Sequence, residues 1–132
     1  MKNIIKFNKI KTYLSELVNN QSHNTSIECL VFIESWISYN ELFKVHAFKN
    51  YNSIVKGRGT NVSGGGIAIF IKKEYSYREI LCEFNADYES VLLEILKNGK
   101  SIHLLAIYRI PNGNMDNFLI MAGDYIHKLI VI

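Results

Sequence analysis

Two residues, Asn98 and Gly99, stand between two apolar segments and constrain how this chain can fold. The segments, residues 91–96 and 102–108, are rich in the branched side chains that strands favour. Asn-Gly is the strongest short signal for a two-residue hairpin loop, because both residues tolerate a positive φ. We therefore predict an antiparallel β-hairpin here.

Helical periodicity appears on both sides of this strand-rich region. Apolar residues three and four apart predict an amphipathic helix over residues 10–18 and a second one over residues 116–128. Asn114 is placed to cap the second helix, because its side chain can accept a hydrogen bond from a free backbone N–H of the first turn.

Further apolar runs predict additional strands. Residues 27–33 form a short, largely apolar run typical of a buried strand, and residues 67–71 alternate in period two. Residues 129–132 resemble the beginning of another buried strand. The order of elements predicts an α/β (α+β) fold in which helices pack on one face of a mixed, mostly antiparallel sheet.

Composition narrows the class of protein. With 132 residues and 48% hydrophobic content, the chain suits one domain and is too apolar to be disordered. No apolar run approaches the roughly 20 residues of a membrane span, and the lysine-bearing N-terminal region lacks a secretory signal core. The two cysteines, Cys29 and Cys82, lack zinc-site spacing and predict buried thiols. We expect a soluble, intracellular protein without a membrane partner.

Glu34 is the first candidate for chemistry. It directly follows the predicted strand 27–33, and ligand sites of open sheets form at the carboxyl ends of strands. A carboxylate there can hold a hard cation such as Mg²⁺ through oxygen. The alternative is an ordinary solvated strand end.

A second candidate is the segment from Tyr108 to Asn112, where a strand ends in a Pro-Asn-Gly turn. The phenol of Tyr108 and the amide of Asn112 can donate hydrogen bonds, and the guanidinium of Arg109 can grip two phosphate oxygens. The alternative is a strand exit without a ligand.

Arg58 is a third candidate. It lies between Gly57 and Gly59, close to the triple glycine 64–66, and a cation in a glycine loop can follow a nucleic-acid backbone. The segment has no Gly-Lys-Ser/Thr, so it is not a nucleotide phosphate loop. The net charge of +3 is compatible with a polyanionic partner but does not establish one.

Four elements, taken in order, resemble the endonuclease/exonuclease/phosphatase (DNase I-like) superfamily, and most closely the apurinic-type endonuclease domain of non-LTR retrotransposons. The first is Glu34-Ser35-Trp36-Ile37, similar to "ETWL". The second runs from Phe43-Lys44-Val45 through Tyr51 and Arg58 to residues 64–72, similar to "FxI … Y … R … GGGVAIYVK". The third and fourth are residues 89–95, similar to "ESLxVEI", and residues 108–112, similar to "YRPPN". The resemblance covers nearly the whole chain, and its specificity lies in the order of the elements.

The resemblance implies roles for individual residues. Glu34 would be the metal-ligand glutamate, Tyr108 the active-site tyrosine, and Asn3 the early active-site asparagine. Asn112 would lie beside the DNA, and we expect Arg109 and Arg58 to contact it as well. The implied activity is Mg²⁺-dependent hydrolysis of DNA phosphodiesters, which for a retrotransposon protein takes place in the nucleus.

Two later motifs of the family, "GDFN" and "SDH", are absent from residues 1–132. Gly123-Asp124 is no substitute, because it falls within the predicted helix. The chain is therefore expected to be the amino-terminal half of a four-layer α/β/β/α sandwich, inactive and weak in Mg²⁺ binding by itself. An uncovered sheet face formed by residues 67–71, 91–96 and 102–107 is expected to favour self-association.

Two other functions remain open at this point. One is a non-catalytic remnant that binds nucleic acid or protein. The other is a different phosphoesterase of the same superfamily, although the "YRxPN" and "GGGxAI" elements favour the retrotransposon branch.

Overall fold

The computed structural model describes residues 27–33, 35, 50–57 and 64–131, together with Thr12 and Glu16, which are both helical. The rest of the helix predicted over residues 10–18 lies outside the described residues. The chain divides into two compact units, residues 1–75 and 76–132. The described residues form two antiparallel three-stranded sheets and one long helix, which confirms the α+β class.

The first unit contains a sheet of three strands, β1 (Cys29–Ile33), β2 (Tyr51–Lys56) and β3 (Ile67–Lys72), in the order β1-β3-β2. Both neighbours of β3 run antiparallel to it. The first five residues of β3 are buried, so both of its faces are covered, as its apolar sequence predicts. Phe70 of this strand packs edge-on against Phe32 of β1, with ring centroids 6.0 Å apart.

Among the described strands, β1 lies at the edge of this sheet rather than in its interior. Val31 and Ile33 retain 41% and 49% of their exposure, so the prediction of a buried strand over residues 27–33 is wrong in that respect. Apolar composition is shared by interior strands and by edge strands with one covered face, and the sequence does not separate the two.

The triple glycine leads into β3 through a backbone that only glycine adopts easily. Gly64, Gly65 and Gly66 have φ values of 89°, 70° and 94°. A Cβ at Gly66 would also lie 2.9 Å from Ser35 Oγ and 3.2 Å from the carbonyl oxygen of Lys56. Gly66 is therefore required both for its backbone conformation and for the close approach of its neighbours.

The second unit consists of a three-stranded meander followed by the helix. Its elements are β4 (Ser76–Phe84), β5 (Tyr88–Lys97), β6 (Lys100–Arg109) and α1 (Met115–Val131). Asn98 (φ 50°) and Gly99 (φ 73°) form the loop between β5 and β6, which confirms the predicted hairpin. Both central residues have positive φ, as a type I′ turn requires.

Helix α1 packs on one face of the second sheet. The hydroxyls of Tyr125 and Ser90 are hydrogen-bonded at 3.3 Å, and Met121 and Tyr125 are buried. Asn114 caps the helix as predicted, because its Oδ1 accepts a hydrogen bond from the backbone N–H of Asn117 at 3.0 Å. Within the described part of the chain, no helix combines the length and apolarity that crossing a membrane requires.

Two predictions about these elements are corrected by the structure. Residues 129–131, the described part of the strand predicted over residues 129–132, instead belong to the last turn of α1. The helix continues to Val131 because neither glycine nor proline occurs between Lys128 and Val131 to end it. The single mixed sheet is instead two sheets whose described strands are all antiparallel.

The structure also corrects the prediction of an uncovered sheet face formed by residues 67–71, 91–96 and 102–107. Most apolar residues of β3 and β5 are fully buried, and Ile67, Ile71 and Leu93 have no exposed surface. Ile102 and Leu96, near the hairpin loop, remain about half exposed. An uncovered face is therefore not available along the centre of either sheet.

Two glycine substitutions test this description of the backbone. Gly66→Ala should lower the free energy of unfolding by about 1–3 kcal/mol, because alanine strains a positive φ and crowds Ser35. Gly123→Ala, on a helical surface with nothing within 4 Å, should raise it by about 1 kcal/mol. Urea unfolding measures both, and shifts of the same sign would contradict the assignment.

Candidate functional site

The candidate segment Tyr108–Asn112 lies where β6 ends and the chain turns toward α1. Tyr108 is half-buried in the strand, whereas Asn112 is exposed in the turn. The turn closes through a hydrogen bond from the backbone N–H of Gly113 to the carbonyl oxygen of Ile110 at 2.9 Å. The predicted strand-to-turn exit is therefore present.

Asp87, which the sequence analysis did not single out, holds this exit in place. Its carboxylate accepts hydrogen bonds from the backbone N–H of Asn114 at 2.8 Å and from the side-chain amide of Asn117 at 2.9 Å. Its carbonyl oxygen accepts a third from the backbone N–H of Ile110 at 3.0 Å. One residue of the β4–β5 loop thus binds both ends of the turn.

The contact between this loop and the turn leaves no room for a side chain at Gly113. A Cβ there would lie 2.6 Å from both the Cα and the carbonyl oxygen of Asp87. Asn85 shapes the loop from the other side, because its Oδ1 accepts hydrogen bonds from the backbone N–H groups of Asp87 and Tyr88 at 2.9 and 3.0 Å. The signal in the sequence was the Asn85-Ala86-Asp87 loop, whose residues favour such side-chain turns.

Hydrogen bonding also sets the protonation of Asp87. The backbone N–H of Asn114, and then the amide of Asn117, hold the pKa of this carboxyl below its usual value of 3.8. Asp87 is therefore ionised at neutral pH, and its negative charge lies beside the first turn of α1, where the helix dipole favours it.

Arg109 supports the same turn. Its Nη1 donates hydrogen bonds to the carbonyl oxygens of Ile110 and Pro111, both at 3.3 Å. The other two guanidinium nitrogens of Arg109, Nε and Nη2, do not take part in these two hydrogen bonds. Side chains alternate along a strand, so Arg109 and Tyr108 leave β6 on opposite faces of the sheet.

Tyr108 lies directly opposite Glu89 on β5, and both side chains occupy the face of the sheet away from α1. Glu89 has no exposed surface. A fully buried carboxylate is rare in proteins and needs compensating partners. The signal in the sequence was an acid and a serine, Glu89 and Ser90, inside an otherwise apolar strand.

Three candidates, Asn3, Glu34 and Arg58, lie outside the described residues. The described neighbours of Glu34 are held against the beginning of β3. Ile33 pairs with Ile67, and the backbone N–H of Ser35 donates to the carbonyl oxygen of Gly66 at 3.1 Å. That the three candidates meet Tyr108 and Asn112 in one cleft therefore stays a prediction.

A metal ion in a protein is held by several oxygen, nitrogen or sulfur ligands that lie close together. In the described ranges, no group of three or more histidine, cysteine, aspartate or glutamate side chains could hold a metal. Ser35 Oγ, next to Glu34 in the chain, is buried and has no hydrogen-bond partner. Such an atom calls for a water or ligand partner. Glu34 itself lies outside the described residues, and only its chemical type, a carboxylate, accords with Mg²⁺, which keeps several waters and takes carboxylate and phosphate oxygens as ligands.

The two cysteines are free thiols. Cys29 is half-buried, and burial raises its pKa, so it is protonated at neutral pH. Cys82 is exposed, which corrects the prediction that both thiols are buried. It lies on β4, an edge strand with several exposed residues.

The Asp87 contacts predict a dependence of stability on pH. Because the pKa of Asp87 is lowered in the folded state, its contribution is complete above pH 3.8 and is lost as the pH falls through the lowered value. Asp87→Asn should be less stable than wild type at pH 7, and the difference should shrink below about pH 4. Urea unfolding from about pH 7 to about pH 2.5 measures this.

The matched control is Asp124→Asn, an exposed carboxylate in the middle of α1. Its unfolding midpoint at pH 7 should stay close to that of wild type. An Asp87→Asn protein as stable as wild type at pH 7 would show that these hydrogen bonds do not hold the turn.

No protein-family model, no curated protein and no solved structure matches this chain. What the chain does is therefore inferred from its own residues.

Proposed function

We propose that this chain is the amino-terminal part of a Mg²⁺-dependent DNA endonuclease domain of a retrotransposon, and that residues 1–132 alone do not cut DNA. The proposal combines the ordered motifs with one structural observation. That observation is the end of β6, which carries Tyr108 and Arg109, and the following turn, which carries Asn112 on a backbone held by Asp87.

The fixed backbone of this turn matters because a phosphate is recognised by hydrogen-bond donors that are already in position. Hydrogen-bond donors that are already in position do not reorganise when charge develops on a phosphate, so they stabilise the transition state more than mobile donors do. The two side-chain bonds of Asp87 and the absence of a side chain at Gly113 keep the turn in one conformation. Asn112, exposed at its tip, can reach a DNA backbone.

In the proposed reaction, Tyr108 would donate a hydrogen bond to the phosphate and Asn112 would orient it. Glu34 would hold the metal ion with phosphate oxygens completing its shell. Bound Mg²⁺ would polarise the phosphate and stabilise the leaving oxygen. The base that activates water belongs, by resemblance, to the "SDH" motif, which residues 1–132 do not contain.

The same resemblance implies the finer architecture. A four-layer α/β/β/α sandwich has two sheets inside and helices outside, and the two antiparallel sheets and helix α1 supply elements of that kind. The part carrying "GDFN" and "SDH" would complete the sandwich. Groups that act together in catalysis lose nearly all activity when one is removed, so we expect residues 1–132 alone to be inactive.

Plasmid nicking tests the proposal. Residues 1–132 should not nick supercoiled DNA with Mg²⁺. A version extended through the coding sequence that follows should nick it, provided that sequence encodes both missing motifs. In the extended version, Tyr108→Phe should lower the rate by about tenfold or more, because one phosphate donor is lost.

Tyr88→Phe is the matched control. It removes the same atom from the neighbouring strand, but its hydroxyl donates to Glu83 at 2.8 Å on the face that carries α1. Its nicking rate should stay close to wild type. Equal rates for wild type and Tyr108→Phe would contradict the role of Tyr108, and nicking by residues 1–132 that Glu34→Ala abolishes would contradict the inactive state.

Metal binding provides a separate prediction. One carboxylate with neutral neighbours binds Mg²⁺ weakly, because the ion gives up its waters reluctantly. Calorimetry of residues 1–132 with Mg²⁺ alone should therefore give little or no heat of binding. A tight site of one ion per chain would mean that other carboxylates take part, and Glu28, Glu89 and Asp124 would be the first to substitute.

A further inference from the structure

Helix α1 carries two apolar faces, and the second sheet covers only one of them. Met121 and Tyr125 form the buried face. A second set of large apolar side chains lies on the exposed surface of the same helix. These residues, which we call the outer stripe, are Met115 (48% exposed), Leu119 (56%), Ile126 (54%) and Ile130 (77%). A contiguous apolar stripe on a charged helix marks an interaction surface.

The outer stripe has a palindromic spacing. Successive members are 4, 7 and 4 residues apart, so the pattern is the same in either direction along the helix. A second α1 lying antiparallel would place Met115 of one copy opposite Ile130 of the other. It would likewise place Leu119 opposite Ile126, and each pairing would occur twice. We therefore propose that the outer stripe is the contact by which two copies of this chain pair through antiparallel α1 helices.

The middle of the stripe permits close approach of two helices. Ala122 and Gly123 lie between Leu119 and Ile126, at the centre of the palindrome. Gly123 is unfavourable within a helix, and the described residues give no packing reason for it, because a Cβ there would meet nothing within 4 Å. A neighbouring helix that crosses at this point would account for the small residues.

The helix dipoles favour the antiparallel arrangement. An antiparallel pair brings unlike ends of the two helix dipoles together, whereas a parallel pair brings like ends together. The outer stripe is a different surface from the sheet face that was predicted to be uncovered, and the centre of that sheet face is buried.

The size of the contact predicts a weak dimer. A helix of 17 residues is about 25 Å long, and one helix pair buries less than the roughly 800 Å² per partner of a standard interface. We expect a dissociation constant of roughly 10–100 µM, at the weak end of specific association.

Sedimentation velocity on residues 1–132, from about 5 to 500 µM, tests the proposal. Wild type should shift from monomer to dimer over this range. Leu119→Glu and Ile126→Lys should each weaken dimerisation by at least about tenfold, because each buries a charge against an apolar side chain. Ile120→Glu is the matched control, since Ile120 is equally apolar and 63% exposed but lies outside the stripe. It should dimerise as wild type does.

Mixing the two charged variants tests the direction of the helices. In an antiparallel pair, the carboxylate introduced by Leu119→Glu in one copy would face the ammonium group introduced by Ile126→Lys in the other. The other Leu119–Ile126 pair would keep its apolar contact, so the mixture should dimerise more tightly than either variant does alone. Circular dichroism confirms that each variant is folded. The proposal is overturned by a wild type that stays monomeric, by equal loss of association in Ile120→Glu, or by a mixture that stays monomeric.

Discussion

The second unit depends on one carboxylate that joins three segments of the chain. Asp87 belongs to the loop between β4 and β5, yet its side chain bonds the backbone before α1 and the first turn of α1 itself. The hydrogen bond between Ser90 and Tyr125 attaches the middle of the same helix to the sheet. A helix held at two points along its length cannot pivot on the sheet, so the turn that precedes it is held as well.

Polar groups within the second sheet are arranged by face. Glu89 and Ser90 are consecutive on β5, so their side chains leave on opposite faces, and only Ser90 meets α1. On that face, burial first, and then the neighbouring Glu83 carboxylate, raise the pKa of Tyr88. Burial is also the main reason that the pKa of Tyr125 is raised. Both phenols are therefore protonated at neutral pH and can act as hydrogen-bond donors.

Local chemistry explains which elements could be predicted. The β5–β6 hairpin and α1 depend on a two-residue turn and on helical spacing, which are properties of neighbouring residues. The end of α1 was predicted too early, because the branched residues near its C-terminus suit a strand equally well. Strand β4 was not delimited in advance, since its exposed positions mix charged and apolar residues.

Only the part of the candidate site that lies within one segment of the chain could be predicted from the sequence. The residue types of Tyr108, Arg109 and Asn112 could be recognised within one segment, whereas the hydrogen bond of Asp87 to Asn114 joins residues 27 positions apart. The Asn85-Ala86-Asp87 pattern indicates a side-chain turn, but nothing in it indicates that Asp87 bonds Asn114. The burial of Glu89 likewise depends on the neighbours of β5 rather than on its own strand.

The order of strands in the two sheets has a consequence for how the chain acquires its structure. In the sheet β4-β5-β6, strands that are neighbours in the sheet are also consecutive in sequence. Each pairing of two strands therefore closes only a short loop. In the sheet β1-β3-β2, the central strand β3 is the last of the three in sequence. Strand β1 therefore pairs with a strand about forty residues further along the chain. Local pairing loses less chain entropy before contacts form. Residues 76–131 should therefore fold early, and the first sheet should set the overall folding rate.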